Sequence, residues 1–369
     1  MKLEGVELRR IRMSLVAPFE TSFGVQTERD ILLLHAITDA GDGWGECVAG
    51  EEPTYSSEYV DAAQHVLTHH LLPRLFGQPK LEAGDVARVL RPVHGHHMAK
   101  STIEMALLDA ELRSRGESFG QFLGAARDAV DCGVSVGIHK TIPELLETVE
   151  GYIDQGYRRI KLKIKPGWDI EPARAVRERF GEVPLQVDAN TAYTVEDARH
   201  LAELDAYRLL LIEQPLPEDQ VLAHAEVAKI VRTPICLDES ISSAQGATDA
   251  IALGACRIIN VKPGRVGGYL EARRIHDVCA ERGVPVWMGG MLETGIGRAG
   301  NVAMAAMKNF TLPGDTSASD RYYSRDITEP FVLEDGRLKV PTGPGLGVTI
   351  DSDYLESITY WKATINAPA

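Results

Sequence analysis

The sequence predicts an α/β protein in which a (β/α)₈-type barrel follows a smaller α+β unit. Three observations support this fold class. After residue 130, eight short apolar runs alternate with amphipathic segments, as in a parallel sheet covered by helices on both faces. Five of these runs end in a charged residue, at intervals of 24 or 25 residues. Before residue 126, strand patterns come first and helical patterns follow, which is typical of an α+β unit.

The first 125 residues are expected to fold as a unit of their own. Apolar patterns predict strands over 6–16, 31–38 and 44–48, with a hairpin turn at 39–43 where Gly and Asp adopt positive φ easily. Helical patterns follow at about 55–76, 82–91 and 98–115. Ser101 and Glu104 have the spacing of a capping box, which we expect at the start of the last helix.

The eight apolar runs predict the barrel strands. They are CGVSVGI, RRIKLKI, VPLQVDA, LLLIEQP, TPICLDE, CRIINVK, VPVWMGG and NFTLPGD. Amphipathic segments between them predict helices, and eight units in about 190 residues match such a barrel with room for one degraded unit. A doubly wound sheet is the alternative, but CGVSVGIHKT is a poor match to the phosphate-binding glycine loop that such sheets usually carry.

The tail is predicted to leave the barrel and pack back on the first unit. Within it, FVLEDGRLKV has the pattern of a hairpin. The expected boundaries are therefore 1–125 for the α+β unit, 126–325 for the barrel and 326–369 for the C-terminal segment.

Composition excludes several classes of protein. The chain has 369 residues, 44% hydrophobic and 25% charged, as globular domains do. A net charge of −14 disfavours binding to nucleic acid. No run of about 18 apolar residues predicts a membrane span, and the N-terminus lacks a signal-peptide pattern. Five scattered cysteines without a CxxC pair favour a reduced, cytoplasmic setting.

The charged residues that end five successive runs are the strongest functional signal. They are Lys163, Asp188, Glu213, Asp238 and Lys262. The spacing is one β/α unit each time, so every residue lies at the carboxyl end of its own strand, where barrels carry their active sites. Because an unpaired buried charge costs several kcal/mol, these charges are expected to converge and neutralise one another or a ligand.

Asp188, Glu213 and Asp238 come from three consecutive strands and offer only carboxylate oxygens. This is the ligand set of a hard divalent cation, with Mg²⁺ first and Mn²⁺ as a substitute. The alternative is that the three carboxylates cap helices or pair with Lys and Arg side chains.

The lysines flank this predicted metal site. Lys161 and Lys163 are two residues apart on one strand and therefore point to the same face. Lys163 lies one strand before the carboxylates and Lys262 one strand after, so a closed barrel places them on opposite sides of its mouth. A nearby cation makes a lysine a usable base. The alternative is that the lysines only balance the carboxylates.

These parts together predict one reaction type. A carboxylate substrate would bind the metal, and its α-proton would become removable because the cation stabilises the resulting enediolate. One lysine would remove the proton, and the second could return it from the other face. If the β-carbon bears a leaving group, the same intermediate would lose it instead.

The ordered motifs resemble the enolase superfamily, and within it the muconate-lactonizing subgroup. They are KLK (161–163), DAN (188–190), EQP (213–215), LDES (237–240), NVKPGRVGG (260–268) and GGMLETG (289–295). The whole chain, including GWGECV, YSSEY and LPGDTSASDR, resembles the o-succinylbenzoate synthase / N-succinylamino acid racemase family. The resemblance implies a (β/α)₇β barrel with an α+β capping domain that the C-terminal tail completes.

The resemblance also assigns roles by position. It implies Asp188, Glu213 and Asp238 as ligands of Mg²⁺, for which Mn²⁺ or Co²⁺ can substitute, Lys163 and Lys262 as acid/base lysines, and Lys161 as their auxiliary. The segment 17–26 is predicted to be a polar lid loop, with a loop held down by ordinary apolar contacts as the alternative. Substrate contacts are predicted for Phe19, Phe23, Ser135, Asn190, Gly290, Met291, Leu292 and Glu293. For Glu293 the alternative is a hydrogen bond to a residue behind the pocket wall.

The predicted function is therefore proton abstraction α to a carboxylate. The substrate is an N-acylamino acid, for racemisation, or 2-succinyl-6-hydroxycyclohexadiene carboxylate, for dehydration in menaquinone biosynthesis. A dipeptide epimerase and a muconate-type cycloisomerase are alternatives that use the same lysines and metal. A catalytically silent binding barrel is the non-enzymatic alternative. Family members commonly form homo-oligomers, so we expect one here, with neither nucleic acid nor membrane as partner.

Overall fold

Two main sheets organise the structure, a computed structural model that describes residues 1–368. The strands are β1 (Leu3–Thr21), β2 (Gly24–Thr38), β3 (Gly41–Cys47), β4 (Ala129–Asp131), β5 (Gly133–Val136), β6 (Arg159–Lys163), β7 (Leu185–Asp188), β8 (Ile212–Glu213), β9 (Ile235–Leu237), β10 (Ile258–Val261), β11 (Val286–Met288), β12 (Arg337–Lys339) and β13 (Thr359–Asn366). No helix in residues 1–368 has the length and apolar character needed to cross a membrane.

The helices occupy the intervening segments. They are α1 (Val60–Val66), α2 (Leu72–Phe76), α3 (Val86–Val89), α4 (His97–Arg115), α5 (Phe119–Leu123), α6 (Ile142–Asp154), α7 (Ile170–Phe180), α8 (Ala198–Leu201), α9 (Val221–Ile230), α10 (Ala244–Ala252), α11 (Pro263–Val266), α12 (Tyr269–Glu281), α13 (Gly295–Ala305) and α14 (Ser352–Ile358). A π-helical turn, Leu67–Leu71, joins α1 to α2.

The first sheet is antiparallel, has the order β13-β1-β2-β3, and carries α4 on one face. Two glycines of β3 permit this close packing. A Cβ on Gly43 would lie 2.1 Å from the Ala106 carbonyl oxygen, and one on Gly45 would lie 2.0 Å from that of Thr102. Any larger residue would therefore push the helix off the strand.

Helix α4 begins at His97, four residues before Ser101, so the expected capping box is wrong. Ser101 and Glu104 lie inside the helix, where a side chain cannot reach the first amides of its own helix. Glu104 accepts a hydrogen bond from the Leu270 backbone N–H at the start of α12, at 3.0 Å. It therefore joins the first unit to the barrel.

The second sheet contains β5 to β11 in sequence order, and every pair is parallel. The eighth predicted run bridges its two edges, since Phe310 pairs with Val286 of β11 and Gly314 pairs with Cys132 beside β5. The run forms isolated bridges and no continuous strand, because Pro313 has no N–H to donate. The predicted barrel with an N-terminal capping unit is confirmed.

The segment 17–26 differs from the predicted loop. It is the tip of the long hairpin between β1 and β2, in which Thr21 pairs with Gly24. The tip bends toward the barrel and is held there by Ser22, whose Oγ donates to the Asn190 carbonyl oxygen at 3.1 Å. Pairing with β2 imposes the extended conformation, which the polar composition of the segment does not reveal.

The C-terminal segment contacts both units. Strand β13 pairs antiparallel with β1 of the first sheet, whereas β12 pairs with β4 beside the barrel. The hairpin expected in FVLEDGRLKV is reduced to one isolated bridge between Glu334 and Arg337. Glu334 and Arg337 exchange backbone hydrogen bonds across Asp335 and Gly336, which both have positive φ, so the hairpin turn is confirmed. The pairing extends no further because β4 supplies the ladder partner for β12.

A carboxylate of the first unit also caps a barrel helix. Glu46, at the end of β3, accepts hydrogen bonds from the Thr294 hydroxyl at 2.6 Å and from the backbone N–H groups of Thr294 and Gly297 at 3.0 and 2.9 Å. These groups begin α13, whose N-terminus favours negative charge. Complete burial nevertheless dominates and raises the pKa of Glu46 to about 7.

This raised pKa predicts a pH-dependent contribution of Glu46 to stability. Between its unfolded pKa near 4.5 and about 7, the folded state retains a proton that the unfolded state has lost. The free energy of unfolding therefore falls as pH rises through this range, by up to about 3 kcal/mol.

Urea unfolding of the wild type and of Glu46→Gln at pH 5.0 and 7.5 measures this effect. The amide cannot ionise, so the wild type is expected to lose stability relative to the variant as pH rises. If the difference in the free energy of unfolding between the two proteins did not change with pH, the raised pKa of Glu46 would be wrong.

Candidate active site

A cavity of about 420 Å³ lies at the carboxyl end of the barrel strands, beneath the tip of the β1–β2 hairpin. Both units contribute to its wall. Seven of the predicted substrate-contact residues line it, namely Phe19, Phe23, Ser135, Asn190, Gly290, Met291 and Leu292. Lys161, Lys163 and Lys262 also line it.

Glu293 differs from this group and does not line the cavity. Its side chain is buried, and its Oε1 accepts a hydrogen bond from Asn301 Nδ2 at 2.9 Å on α13. The backbone at Leu292 has a positive φ of 58°, which turns the chain between the two residues. The structure therefore places Glu293 behind the cavity wall.

The three predicted ligand carboxylates lie side by side below the lysines. Asp188 pairs in register with Glu213, and Asp238 directly follows the next strand, β9. Their side chains are at most 1% exposed. Because they come from the ends of neighbouring parallel strands, their carboxylates share one edge of the barrel.

Lys163 lies above Asp188, its register partner on β7. Its Nζ donates to Asp188 Oδ2 at 2.7 Å and to Asn190 Oδ1 at 2.6 Å. Burial opposes ionisation of Asp188, but the ammonium groups of Lys163 and Lys161 outweigh it and lower the pKa of this carboxyl. The Asp188 carboxylate is therefore ionised at neutral pH.

Lys161 lies one layer deeper in the barrel. Its Nζ is 2.6 Å from Asp315 Oδ2, 3.2 Å from Asp188 Oδ2 and 3.3 Å from Glu213 Oε2. It also lies 4.8 Å from the centre of the Trp287 ring. Burial opposes its charge, but Asp315 leads the three carboxylates that raise its pKa above the ordinary value.

Lys262 occupies the other flank of the carboxylates. Its Nζ donates to Asp238 Oδ2 at 2.6 Å and to the Tyr55 hydroxyl at 2.9 Å. Arg265 Nε donates to the second oxygen of Asp238 at 3.1 Å. Although burial acts against the charged form, Asp238 raises the pKa of Lys262 well above its ordinary value.

Lys163 ends β6 and Lys262 directly follows β10, and these two strands are four places apart in the sheet order. Four steps are half the circumference of an eight-membered barrel, so the two ammonium groups face the cavity from opposite walls. The three carboxylates occupy the strands between them. This is the arrangement that the spacing of the charged residues predicts.

Of the three predicted ligand carboxylates, Glu213 has the fewest contacts that compensate its negative charge. Asn260 Nδ2 donates to its Oε1 at 2.6 Å, but its buried Oε2 has no hydrogen-bond partner. Burial and the neighbouring charge of Asp188 raise the pKa of Glu213 well above its ordinary value. A cation beside this oxygen would remove the cost of its charge.

Within residues 1–368, no three His, Cys, Asp or Glu side chains converge closely enough to hold a metal ion. Ammonium groups instead lie against the carboxylates of Asp188 and Asp238, from Lys163 and Lys262. The residues nevertheless fit a divalent cation, because they offer only hard oxygen donors and one of these, Glu213 Oε2, lacks a hydrogen bond.

Comparison with known proteins assigns the chain to a family. Residues 144–354 match the family described as "Enolase C-terminal domain-like", and residues 5–124 match "Mandelate racemase / muconate lactonizing enzyme, N-terminal domain". The chain belongs to the enolase superfamily. Members of this superfamily are enzymes that use a divalent metal, which confirms the expectations of an enzyme and of a divalent cation.

Similar enolase-superfamily proteins align over the whole chain. An N-succinylamino acid racemase of Amycolatopsis sp. is 64% identical over 368 residues and covers 100% of both chains. An o-succinylbenzoate synthase of Geobacillus kaustophilus is 47% identical over 371 residues, with coverages of 100% and 99%. A solved structure of a superfamily member from Listeria innocua has a TM-score of 0.96 at 39% identity, covering 100% of each chain.

The sequence analysis did not identify four charged or polar residues of this site. They are Tyr55, Glu239, Arg265 and Asp315. A signal for Asp315 was present, since it ends the eighth apolar run 53 residues, or about two β/α units, after Lys262. No spacing could identify Tyr55, because it comes from the first unit and reaches Lys262 across the barrel mouth.

Proposed function

We propose that this enzyme removes the proton α to a substrate carboxylate and acts as an N-succinylamino acid racemase, an o-succinylbenzoate synthase, or both. One observation carries the proposal: two lysines, Lys163 and Lys262, reach the same cavity from opposite walls. A carbon bound between them is exposed to a base on one face and an acid on the other. The 64% identical racemase and the 47% identical synthase support both activities.

The racemisation exchanges roles between the two lysines. Neutral Lys163 removes the α-proton from one enantiomer, and the ammonium of Lys262 delivers a proton to the opposite face. For the other enantiomer, Lys262 is the base and Lys163 the acid. In the synthase reaction Lys163 removes the proton and returns it to the departing hydroxyl on the same face, while Lys262 stabilises the intermediate as a cation.

The proposed cofactor is Mg²⁺, held by Asp188, Glu213 and Asp238, with Mn²⁺ or Co²⁺ as substitutes. When bound, the cation would stabilise the second negative charge that develops on the substrate carboxylate. The ion pairs Lys163–Asp188 and Lys262–Asp238 must separate before either lysine can accept a proton. Lys161 is proposed as the neighbouring charge that favours neutral Lys163.

Parallel assays on one preparation test the proposal. With Mg²⁺ present, racemisation of an N-succinylamino acid is followed by polarimetry, and dehydration of 2-succinyl-6-hydroxycyclohexadiene carboxylate by absorbance. Exchange of the α-hydrogen with deuterated solvent is measured by NMR. Turnover in either assay, with exchange of the amino-acid substrate, is expected. The absence of exchange and of turnover on both would favour a silent binding barrel.

The hairpin tip at 17–26 is proposed as the lid of this site. Phe23 lies over the cavity, with its ring centre 5.9 Å from that of Tyr55. Phe23→Ala is expected to raise KM and lower kcat, with kcat/KM falling about 10- to 100-fold, because burial of a phenyl group is worth about 1.5–3 kcal/mol. Steady-state kinetics measure this, and Phe180→Ala, on the barrel exterior, is the matched control.

If Phe23→Ala had unchanged kinetics, the hairpin tip would not act as a lid and would only pack against the barrel. Loss of activity in both variants would indicate a general effect on folding.

The cellular setting is proposed from the same chemistry. The product of the synthase reaction belongs to menaquinone biosynthesis, and all five cysteines are buried and unpaired, as in a reducing cytoplasm. We expect a homo-oligomer that acts on small carboxylates, with no nucleic-acid or membrane partner.

A further inference from the structure

A buried ionic cluster lies directly beneath the proposed metal site. Asp315 follows the eighth apolar run and lies between two cations of β6, Arg159 and Lys161. Its Oδ1 is 2.8 Å from an Arg159 guanidinium nitrogen, and its Oδ2 is 2.6 Å from Lys161 Nζ. Ser135 Oγ donates to the same Oδ2 at 3.1 Å. None of these contacts involves Asp188, Glu213 or Asp238.

Arg159, the first cation beside Asp315, is buried and makes several further contacts. Its side chain is fully buried, and its guanidinium donates twice to the Pro313 carbonyl oxygen and lies 5.0 Å from the Trp287 ring centre. A Cβ on Gly133 would lie 2.3 Å from the guanidinium carbon. The Asp315 carboxylate consequently has one cation, Arg159, that is enclosed by its surroundings and one, Lys161, that is also within reach of other carboxylates.

Lys161 can pair with three carboxylates, and Asp315 is the nearest of them. The distances to Asp188 and Glu213 are 3.2 and 3.3 Å, against 2.6 Å to Asp315. Asp188 and Glu213 are the oxygen donors that a divalent cation needs. An ammonium ion that moved closer to them would compete with the cation for the same lone pairs.

We propose that Asp315 is a positioning residue that draws Lys161 away from Asp188 and Glu213, and thereby sets the affinity for the divalent cation without touching it. This inference rests on the proposed function, because it requires a cation at these carboxylates. Asp315, at the end of the eighth run, would thus affect metal binding entirely through its ion pair with Lys161.

Titration with Mn²⁺, followed by the loss of its free EPR signal, tests the inference in the full-length protein. Asp315→Asn is expected to raise the Mn²⁺ dissociation constant at least about tenfold. Lys161→Met removes the competing ammonium, so Asp315→Asn in that background is expected to change the constant less than about threefold. Asp320→Asn, an exposed change of the same charge nearby, is the control and should bind as the wild type does.

The outcomes separate the two proposals. An unchanged constant in Asp315→Asn, or a tenfold loss that persists beside Lys161→Met, overturns the role of Asp315 while the metal site stands. A wild type that binds no Mn²⁺ overturns the proposed function and this inference with it. If Asp315→Asn does not fold, the comparison of Lys161→Met with the double variant still tests the route through Lys161, since a difference of more than about threefold there overturns it.

Discussion

Lys262→Ala is expected to abolish racemisation while one enantiomer of the substrate still exchanges its α-hydrogen with solvent. Racemisation needs a base on one face and an acid on the other, so the loss of either lysine stops it. Exchange without inversion needs only the lysine that faces the departing proton. We therefore expect racemisation to fall at least about 10³-fold, whereas exchange of the enantiomer that faces Lys163 persists.

Lys163→Ala is expected to give the mirror-image result. The enantiomer that faces Lys262 should retain exchange, and the other should lose it. NMR of each pure enantiomer in deuterated solvent separates the two cases, and Lys229→Ala, an exposed lysine on α9, is the control. If either lysine variant lost exchange of both enantiomers equally, the two-base arrangement would be wrong and one lysine would serve both faces.

Glu213→Gln is expected to remove both activities by weakening the cation site. A bound divalent cation contributes several kcal/mol to stabilising the developing charge, so kcat should fall at least about 10³-fold. Mn²⁺ titration should show a matching loss of affinity. Dialysis of the wild type against a chelator should have the same effect on kcat, with recovery when Mg²⁺ is added.

The same variant should not lose stability in the absence of metal. Glu213 is fully buried, and Asp188 adds to the cost of its negative charge, so a neutral amide relieves repulsion. The amide oxygen can still accept the hydrogen bond from Asn260. Thermal melting in chelator measures this, and Glu226→Gln on α9 is the control. Full activity of Glu213→Gln, or of the wild type in chelator, would exclude a metal-dependent reaction.

The positions of the charged residues along the barrel could be predicted without coordinates. One β/α unit spans about 25 residues here, so a charge repeated at that interval lies at the same end of each strand. Lys163, Asp188 and Glu213 lie in register on adjacent strands as that reasoning requires. Asp315 likewise ends the eighth run. It was not recognised because it follows Lys262 by about two units, whereas the other charges are one unit apart.

The contacts of Lys262 with Tyr55 and of Ser22 with Asn190 could not be predicted. Tyr55 and Lys262 are 207 residues apart, and Ser22 and Asn190 are 168 apart. Each contact joins the first unit to the barrel. The periodicity of a sequence does not predict the orientation of one unit relative to the other, so it cannot predict these contacts. The hairpin tip shows the same limit, because its pairing with β2 depends on a register that polar residues specify weakly.

The sequence by itself determined the barrel, the strand end on which each charge lies and the order in which lysines flank carboxylates. These follow from local periodicity, since a repeat length and an alternating side-chain direction are properties of neighbouring residues. Only the tertiary structure decided which charges pair. The ammonium of Lys161 has three carboxylates within 3.3 Å, and its preference for Asp315 depends on differences of less than 1 Å that arise when the barrel closes.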